Sequence, residues 1–401
     1  MRTTKAAIAL LALLGAVLAA DACAAEDTEG FHFGGGVNVA NDSNVFRTSA
    51  TGPGAVTSVY MTTPYALASF DRTYGQQHVF ASVNFGRVLY SSGLSSYDYN
   101  SETVDAGYRL GSWQRFNVGI EWVRSASQVN FGDTLFKVPD VLTRDAVTID
   151  VDEPVIGDWH LVGNATGAFD RYSDASSSFS NLDRFGGQVG VRYVPVYGNR
   201  IDLLLGETHG RYPNGAATSF GNAAYRDWLA DLSVSWRFSG SSRLDGHAGY
   251  QQRRNETLTF RDFSGLSSDL AWVWAATGKL TLTSSVSRVM GAAGDVQFLT
   301  AVTKTWRLAP AWQATEKIKV EAAVYRSVRD YFGQGLQLGP GSPLPAAAHI
   351  DTILGGSLTT TWVMQRWLTL SADLRAEHRD SNLAVWAYSD RIAGISAQVR
   401  L

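Results

Sequence analysis

The stretch WLADLSVSWRFSGSSRLDGHAGY, residues 228–250, reads as two strands joined by a tight turn. Every second residue from Trp228 to Phe238 is apolar, and the residues between them are mostly polar. Residues 239–242 supply a serine- and glycine-rich turn, after which the alternation resumes and continues to Tyr250. The pattern predicts a β-hairpin with one apolar face and one polar face.

The same alternation recurs along the chain and predicts about eighteen strands, within the range 16–18. A soluble sandwich also alternates, because its antiparallel sheets have one wet face. The connections decide between the two architectures, since short turns alternate here with longer loops, as they do in membrane barrels. The sequence therefore predicts an all-β fold, a closed antiparallel transmembrane β-barrel.

Tryptophan residues gather near the predicted short turns, where an amphipathic ring suits the membrane–water boundary. We expect them to form an aromatic girdle on the periplasmic side. They are Trp113, Trp159, Trp236, Trp274, Trp312, Trp362 and Trp367.

The amino terminus is predicted to be a cleaved secretory signal peptide, residues 1–24, with the barrel domain at residues 25–401. Arg2 and Lys5 precede a short apolar run that ends in small residues. An alternative is a lipoprotein signal with Cys23 as the lipidated residue, although Asp21 is unfavourable there. No later apolar run reaches about 18 residues. We expect secretion by the Sec route into the bacterial outer membrane.

The composition excludes several function classes. The formal net charge of -3 gives no argument for nucleic-acid binding. The seven histidines are scattered, and neither a metal-ligand spacing nor a G-x-S-x-G motif is present. His247 beside Asp245 is expected to be a structural residue of the lumen. We therefore expect no enzymatic activity and no cofactor or metal.

The polar faces of the strands should line an aqueous interior. Arg237, Arg243 and Asp245 are expected there, with many other charges that pair across neighbouring strands. A constriction is predicted where one strand carries four charges on one face and a second strand carries two more. These residues are Asp373, Arg375, Glu377 and Arg379 on the first strand, and Lys319 and Glu321 on the second.

Four charged residues fall on the predicted lipid face, each near the outer end of an upward strand: Arg87, Glu207, Arg288 and Arg326. Long side chains there can extend to the interface, and the basic ones can contact lipopolysaccharide phosphates. Lys304 is not explained in this way, because it falls in the middle of a predicted strand.

Three segments carry a family resemblance: VNVANDSNVFR (37–47), GETHGRYPN (206–214) and HAGYQQRRNETLTFRDFSGLSSDLAWVWAATGKLTL (247–282). They resemble the EpsL-type outer-membrane proteins of exopolysaccharide operons, within the group of putative beta-barrel porins. The resemblance implies a conduit that moves a polysaccharide across the outer membrane, with a periplasmic polysaccharide-export protein as partner. The alternatives are a general or solute-specific diffusion porin and a non-conducting surface or adhesion barrel.

Overall fold

The computed structural model describes residues 29–49, 56–91, 93–111, 116–133, 137–195, 198–215, 223–257, 259, 262–292, 300–332 and 349–401. The predicted signal peptide, Cys23, Trp113 and most of the longest loop lie outside these residues. The described part of the chain contains no helix that is both long and apolar enough to cross a membrane.

The described residues form eighteen antiparallel strands, which confirms the predicted fold class and strand number. The strands are β1 (Gly30–Asp42), β2 (Val59–Tyr74), β3 (Gln77–Tyr90), β4 (Tyr99–Leu110), β5 (Asn117–Gln128), β6 (Val141–Ile156), β7 (Trp159–Tyr172), β8 (Leu182–Tyr193), β9 (Arg200–Arg211), β10 (Ala224–Ser239), β11 (Ser242–Asn255), β12 (Phe263–Ala275), β13 (Leu280–Ala292), β14 (Thr300–Gln313), β15 (Ile318–Phe332), β16 (His349–Gln365), β17 (Leu368–Ser381) and β18 (Tyr388–Arg400).

Each strand pairs with the next in sequence, and β1 pairs with β18 to close the barrel. The closing seam is tight because glycines line β1 there. A Cβ on Gly34 would lie 2.4 Å from the carbonyl oxygen of Val399, and one on Gly36 would lie 2.3 Å from that of Ala397. Closure satisfies the backbone hydrogen bonds that an open sheet would leave exposed at its two edge strands.

The hairpin of residues 228–250 forms as the alternation predicts. Trp228 and Leu232 on β10 and Tyr250 on β11 are exposed on the outer face, while Asp231 and His247 face the interior. The outer face is apolar over most of its height, which is the surface that lipid requires. The molecule therefore has no central apolar core, and its polar side chains point into the lumen.

Two prolines lie within strands and interrupt the ladder on one side only. The pairing of β2 with β3 skips Pro64 and Thr63, whereas β2 remains paired with β1 at this level. The pairing of β14 with β15 likewise skips Ala309 and Pro310. A proline has no N–H to donate, so it can occupy a strand only where the ladder is locally open.

The pairing of β14 with β13 and β15 also determines the position of Lys304. It faces outward on β14 directly opposite Arg288 on β13, and its Nζ lies 3.2 Å from the Asp330 carboxylate on β15. Strand β14, which the sequence predicts over residues 296–312, is described from Thr300 to Gln313, and residues 293–299 are outside the described part.

Candidate functional site

Three of the longer connections meet at the outer end of the barrel, if the short turns face the periplasm as in other bacterial barrels. We call them loop 1 (residues 43–58), loop 2 (91–98) and loop 3 (129–140). Phe46 of loop 1 contacts Tyr97 and Phe131, with ring centroids 5.1 and 5.2 Å apart, and the Tyr97 and Phe131 centroids are 5.8 Å apart. One aromatic cluster therefore joins all three loops.

Loop 3 crosses the lumen and binds the opposite wall. An Arg329 Nη1 on β15 lies 2.9 Å from the Asp133 carboxylate, and an Arg379 Nη1 on β17 donates to the Gly132 carbonyl oxygen at 2.6 Å. Loop 3 leaves the wall at β5, and the shorter way round to β17 passes β4, β3, β2, β1 and β18. Contacts over this span lay the tip of loop 3 across the outer mouth of the barrel.

The wall that receives loop 3 holds a buried ion pair. Arg379 donates to Asp351, and these two side chains are 1% and 0% exposed. The other Asp351 oxygen lies 2.9 Å from His349 Nε2, and the His349 ring stacks on Tyr331 at 4.2 Å. A buried carboxylate is costly unless it is paired and hydrogen-bonded, so the Asp351 carboxylate requires the positive charge of Arg379 beside it. Its charge is neutralised locally and is inaccessible to ions in the lumen.

The next residues down the same face of β17 are also engaged. The Glu377 carboxylate accepts hydrogen bonds from Tyr325 and Tyr388, the latter at 2.6 Å, and lies 3.2 Å from Arg375 Nη2. Asp373 accepts a hydrogen bond from Thr359 at 2.8 Å. The four predicted constriction residues of β17 thus share one lumen-facing ladder, of which only the outermost, Arg379, contacts loop 3.

Lys319 and Glu321 face the lumen but are not brought to the loop contact. They pair with each other at 3.0 Å near the inner end of β15. In register, Lys319 aligns through Thr361 with Ser371, which is eight positions before Arg379 on β17. At about 3.3 Å per residue this is roughly 26 Å along the strand. Lys319 and Glu321 could therefore narrow the channel only near its periplasmic end, away from the contact between loop 3 and Arg379.

Arg237, Arg243 and Asp245 also lie at the inner end, beside the turn that joins β10 and β11. Arg243 Nε is 2.9 Å from the Asp245 carboxylate, which also accepts a hydrogen bond from Ser235 at 2.7 Å. The Arg237 backbone N–H donates to Asn199 at 2.7 Å. These residues line the periplasmic rim rather than the outer mouth.

Elsewhere on the inner wall, most charges are paired across adjacent strands. The pairs include Arg192 with Asp202 and Asp152, Arg144 and Arg184 with Asp170, Arg253 with Asp227, and His247 with Asp231 and Asp269. Among the described residues, no three His, Cys, Asp or Glu side chains come together in a way that could hold a metal ion.

Arg307 differs from these residues. It faces the lumen at mid-height on β14, between Ser285 and Tyr325, and is exposed. It makes no ion pair or hydrogen bond with any residue in the described part of the chain. Sequence reasoning missed it, although the alternation around Trp306 would have placed it inside.

Loop 3 also carries a half-buried cation, Lys137, whose ammonium donates to the Phe131 carbonyl oxygen. Burial lowers the pKa of Lys137 to about 8, and the nearby Arg379 charge acts in the same direction, while Asp133 opposes both. The charge at this point of the mouth therefore changes near neutral pH.

The predicted girdle tryptophans lie at the inner end of the barrel. Trp159, Trp274, Trp312, Trp362 and Trp367 are exposed there, Trp236 is half-buried, and Trp113 is outside the described residues. Their function as membrane-interface anchors stays a prediction.

Comparisons with known proteins agree with this architecture. Residues 231–401 match the family described as "Putative beta-barrel porin 2". No curated protein matches the chain. The chain thus has the fold of a porin-like outer-membrane β-barrel, as predicted. These comparisons do not confirm the assignment to the exopolysaccharide-operon proteins that its segments resemble.

Three solved structures with low sequence identity share the fold. A BenF-like porin from Pseudomonas fluorescens Pf-5 is 10% identical, with a TM-score of 0.54 over 94% of this chain and 99% of that one. Pseudomonas aeruginosa OpdK with vanillate is 10% identical, with a TM-score of 0.52 over 92% and 99%. Pseudomonas aeruginosa OccK2 in complex with glucuronate is 11% identical, with a TM-score of 0.51 over 93% and 96%.

Proposed function

We propose that this chain is a solute-specific diffusion porin that admits small organic anions across the outer membrane. The observation that carries the proposal is the placement of loop 3, which spans the lumen and is fixed to Arg329 and Arg379 on the far wall. A barrel of eighteen strands is wide enough for a general aqueous channel. A loop that lies across its outer mouth restricts passage to small solutes.

The preference for anions rests on Arg307. Most other lumen cations are held by carboxylates, whereas Arg307 is exposed at mid-height without a partner among the described residues. A guanidinium in this position can hold a carboxylate through two parallel hydrogen bonds. The neighbouring Tyr325 adds an aromatic ring to the same stretch of wall. Two of the structurally similar porins were solved with carboxylates, vanillate and glucuronate.

Export of an exopolysaccharide is the second proposal, and it rests on the resemblance of residues 37–47, 206–214 and 247–282. A polymer needs a continuous wide path, and the three loops joined at Phe46, Tyr97 and Phe131 narrow that path. Export would therefore require the loops to move aside. For this reason the diffusion porin is the better supported function.

Liposome swelling tests the proposed function directly. Vesicles containing the purified barrel are placed in isosmotic glucuronate, glucose, glucosamine or a trisaccharide. We expect glucuronate to enter several-fold faster than glucose, and the trisaccharide to be excluded. Arg307→Gln should reduce the glucuronate rate to the glucose rate, while Arg243→Gln, which removes a carboxylate-paired arginine at the rim, should leave the ratio unchanged.

A gene deletion separates the two proposals. Unchanged polysaccharide in the medium, together with slower growth on organic acids, would support the diffusion porin. Loss of secreted polysaccharide that the intact chain restores would instead favour export. Equal entry of all solutes into the liposomes would refute specificity.

A further inference from the structure

The outer face of β13, β14 and β15 carries three cations within an otherwise apolar surface. Arg288 and Lys304 are directly opposite each other on β13 and β14. Arg326 on β15 is opposite Trp306, two positions from Lys304 along the strand direction. In antiparallel pairs, opposed residues are about 5 Å apart and diagonal ones about 7–8 Å. The three side chains therefore form one group, which we call the outer cation patch.

The patch has an excess of positive charge. Asp330 is the acid that pairs with it, at 3.2 Å from Lys304, so the three cations and one anion leave two positive charges. Arg288 donates to the Leu266 carbonyl oxygen, and Arg326 makes no ion pair within the described part of the chain. Like charges directly opposite each other on a sheet destabilise it, so this arrangement favours an added anion.

Two other outward-facing arginines are neutralised by neighbouring carboxylates. Arg226 is 2.8 Å from the Glu207 carboxylate, and Arg124 is paired with both Glu102 and Asp145 at 3.2 and 3.0 Å. Their charges are neutralised by neighbours on adjacent strands. The outer cation patch differs from these two sites because its three cations are grouped around a single acid, Asp330.

The surface below the patch is suited to acyl chains. Four apolar residues are exposed on the outer face, two to four positions nearer the inner end than Lys304 and Arg288: Trp306, Val286, Leu354 and Val324. A ligand that fits must therefore carry phosphate above and hydrocarbon below. A free phosphate ion would use the cations but leave the apolar surface unexplained.

We propose that Arg288, Lys304 and Arg326 form a binding site for the phosphorylated glycolipid of the outer leaflet, lipopolysaccharide. The phosphate groups accept charge-assisted hydrogen bonds from the three cations, and the acyl chains lie against Trp306 and Val286. The site is independent of what passes through the lumen, so it does not depend on the proposed solute.

The test uses the full-length barrel in detergent and native mass spectrometry with added lipid A, dephosphorylated lipid A or inorganic phosphate. Each basic residue near a charged membrane surface contributes about 1 kcal/mol, which is about fivefold in affinity. The triple variant Arg288→Gln, Lys304→Gln, Arg326→Gln should therefore bind lipid A about 100-fold more weakly. The control Arg226→Gln, Arg124→Gln removes outward arginines that already have carboxylate partners and should bind as the wild type does.

Lipid A binding that depends on its phosphates and is lost only in the patch variant supports the site. Equal binding of dephosphorylated lipid A would overturn it, as would full retention in the triple variant. Displacement of lipid A by millimolar inorganic phosphate would show an anion site without lipid specificity, which also overturns it. Should the triple variant fail to fold, the pair Arg288→Lys, Arg326→Lys retains the charges and is expected to keep most of the binding.

Discussion

Replacing Arg379 with methionine should weaken the attachment of loop 3 to the far wall of the barrel, where Arg329 remains its other partner. The variant loses the 2.6 Å hydrogen bond to the Gly132 carbonyl oxygen and leaves the Asp351 carboxylate with only His349 and Ser381 as partners. A hydrogen bond from a charged donor contributes about 1.5–3 kcal/mol. At 1.4 kcal/mol for each factor of ten, the population with loop 3 detached rises about 10- to 100-fold.

The breaking of the buried pair has a separate cost. Removing one partner of a buried ion pair destabilises by about 3–5 kcal/mol, because the other charge remains uncompensated. This cost falls on the outer ends of β16 and β17, and the remaining sixteen strands keep their full ladders. We therefore expect a folded barrel with a looser mouth. The heat-modifiable mobility of the barrel in detergent gels checks that it is folded.

Single-channel recording in planar bilayers measures the effect. Arg379→Met should show a higher open fraction and larger conductance than the wild type. Arg375→Met is the matched control, because it removes an equal charge from the same face of β17 without touching loop 3. Asp133→Asn weakens the same contact from the loop side and should also open the channel. Equal open fractions in Arg379→Met, Arg375→Met and the wild type would refute a latch at Arg379.

Three further predictions concern the lumen and the lipid face. Arg307→Glu should shift the reversal potential in a tenfold KCl gradient toward cation selectivity, and an unshifted potential would remove Arg307 from the conduction path. The pKa of Lys137 is lowered to about 8, so its positive charge is present at pH 7 and largely lost at pH 9. The preference of the channel for anions should therefore decrease between pH 7 and pH 9. The same decrease in the variant Lys137→Met would contradict this assignment. Leu205→Arg places a charge on an exposed lipid-facing site and should reduce the free energy of unfolding from vesicles by about 2–4 kcal/mol in urea titration, with Leu205→Val as the near-neutral control.

The fold was predictable because apolar and polar residues alternate with a period of two in most of the strands. Each strand needs only its own alternation to decide which residues face lipid, so β10, β11 and the charges of β17 are assigned correctly without knowledge of their neighbours. The strands that contain Pro64 and Pro310 are harder to predict from sequence, because proline has no N–H to donate and is unfavourable within a strand. In the structure each of them keeps its pairing on one side, and the ladder is interrupted only on the other.

The contacts at the outer mouth were predictable only in part, and the constriction stays a prediction. Alternation places Asp373, Arg375, Glu377 and Arg379 in the lumen, but no local pattern indicates that Arg379 binds Gly132, a residue 247 positions away. Loops have no periodicity, so their contacts depend on side chains that meet only after the barrel closes. For the same reason Asp133, Arg329 and Asp351 were not singled out, although the last two lie on regular strands.

The seam between β1 and β18 has a consequence for biogenesis. Gly34 is paired with Arg400, so the sheet cannot close until β18 has been synthesised and delivered to the membrane. Until then the first strand is an unpaired edge that could join another chain. The glycines there admit only a close-fitting partner, because any side chain would collide with the carbonyl oxygens of Val399 and Ala397. Assembly must therefore be post-translational, with the amino-terminal strand kept shielded while the rest of the polypeptide arrives.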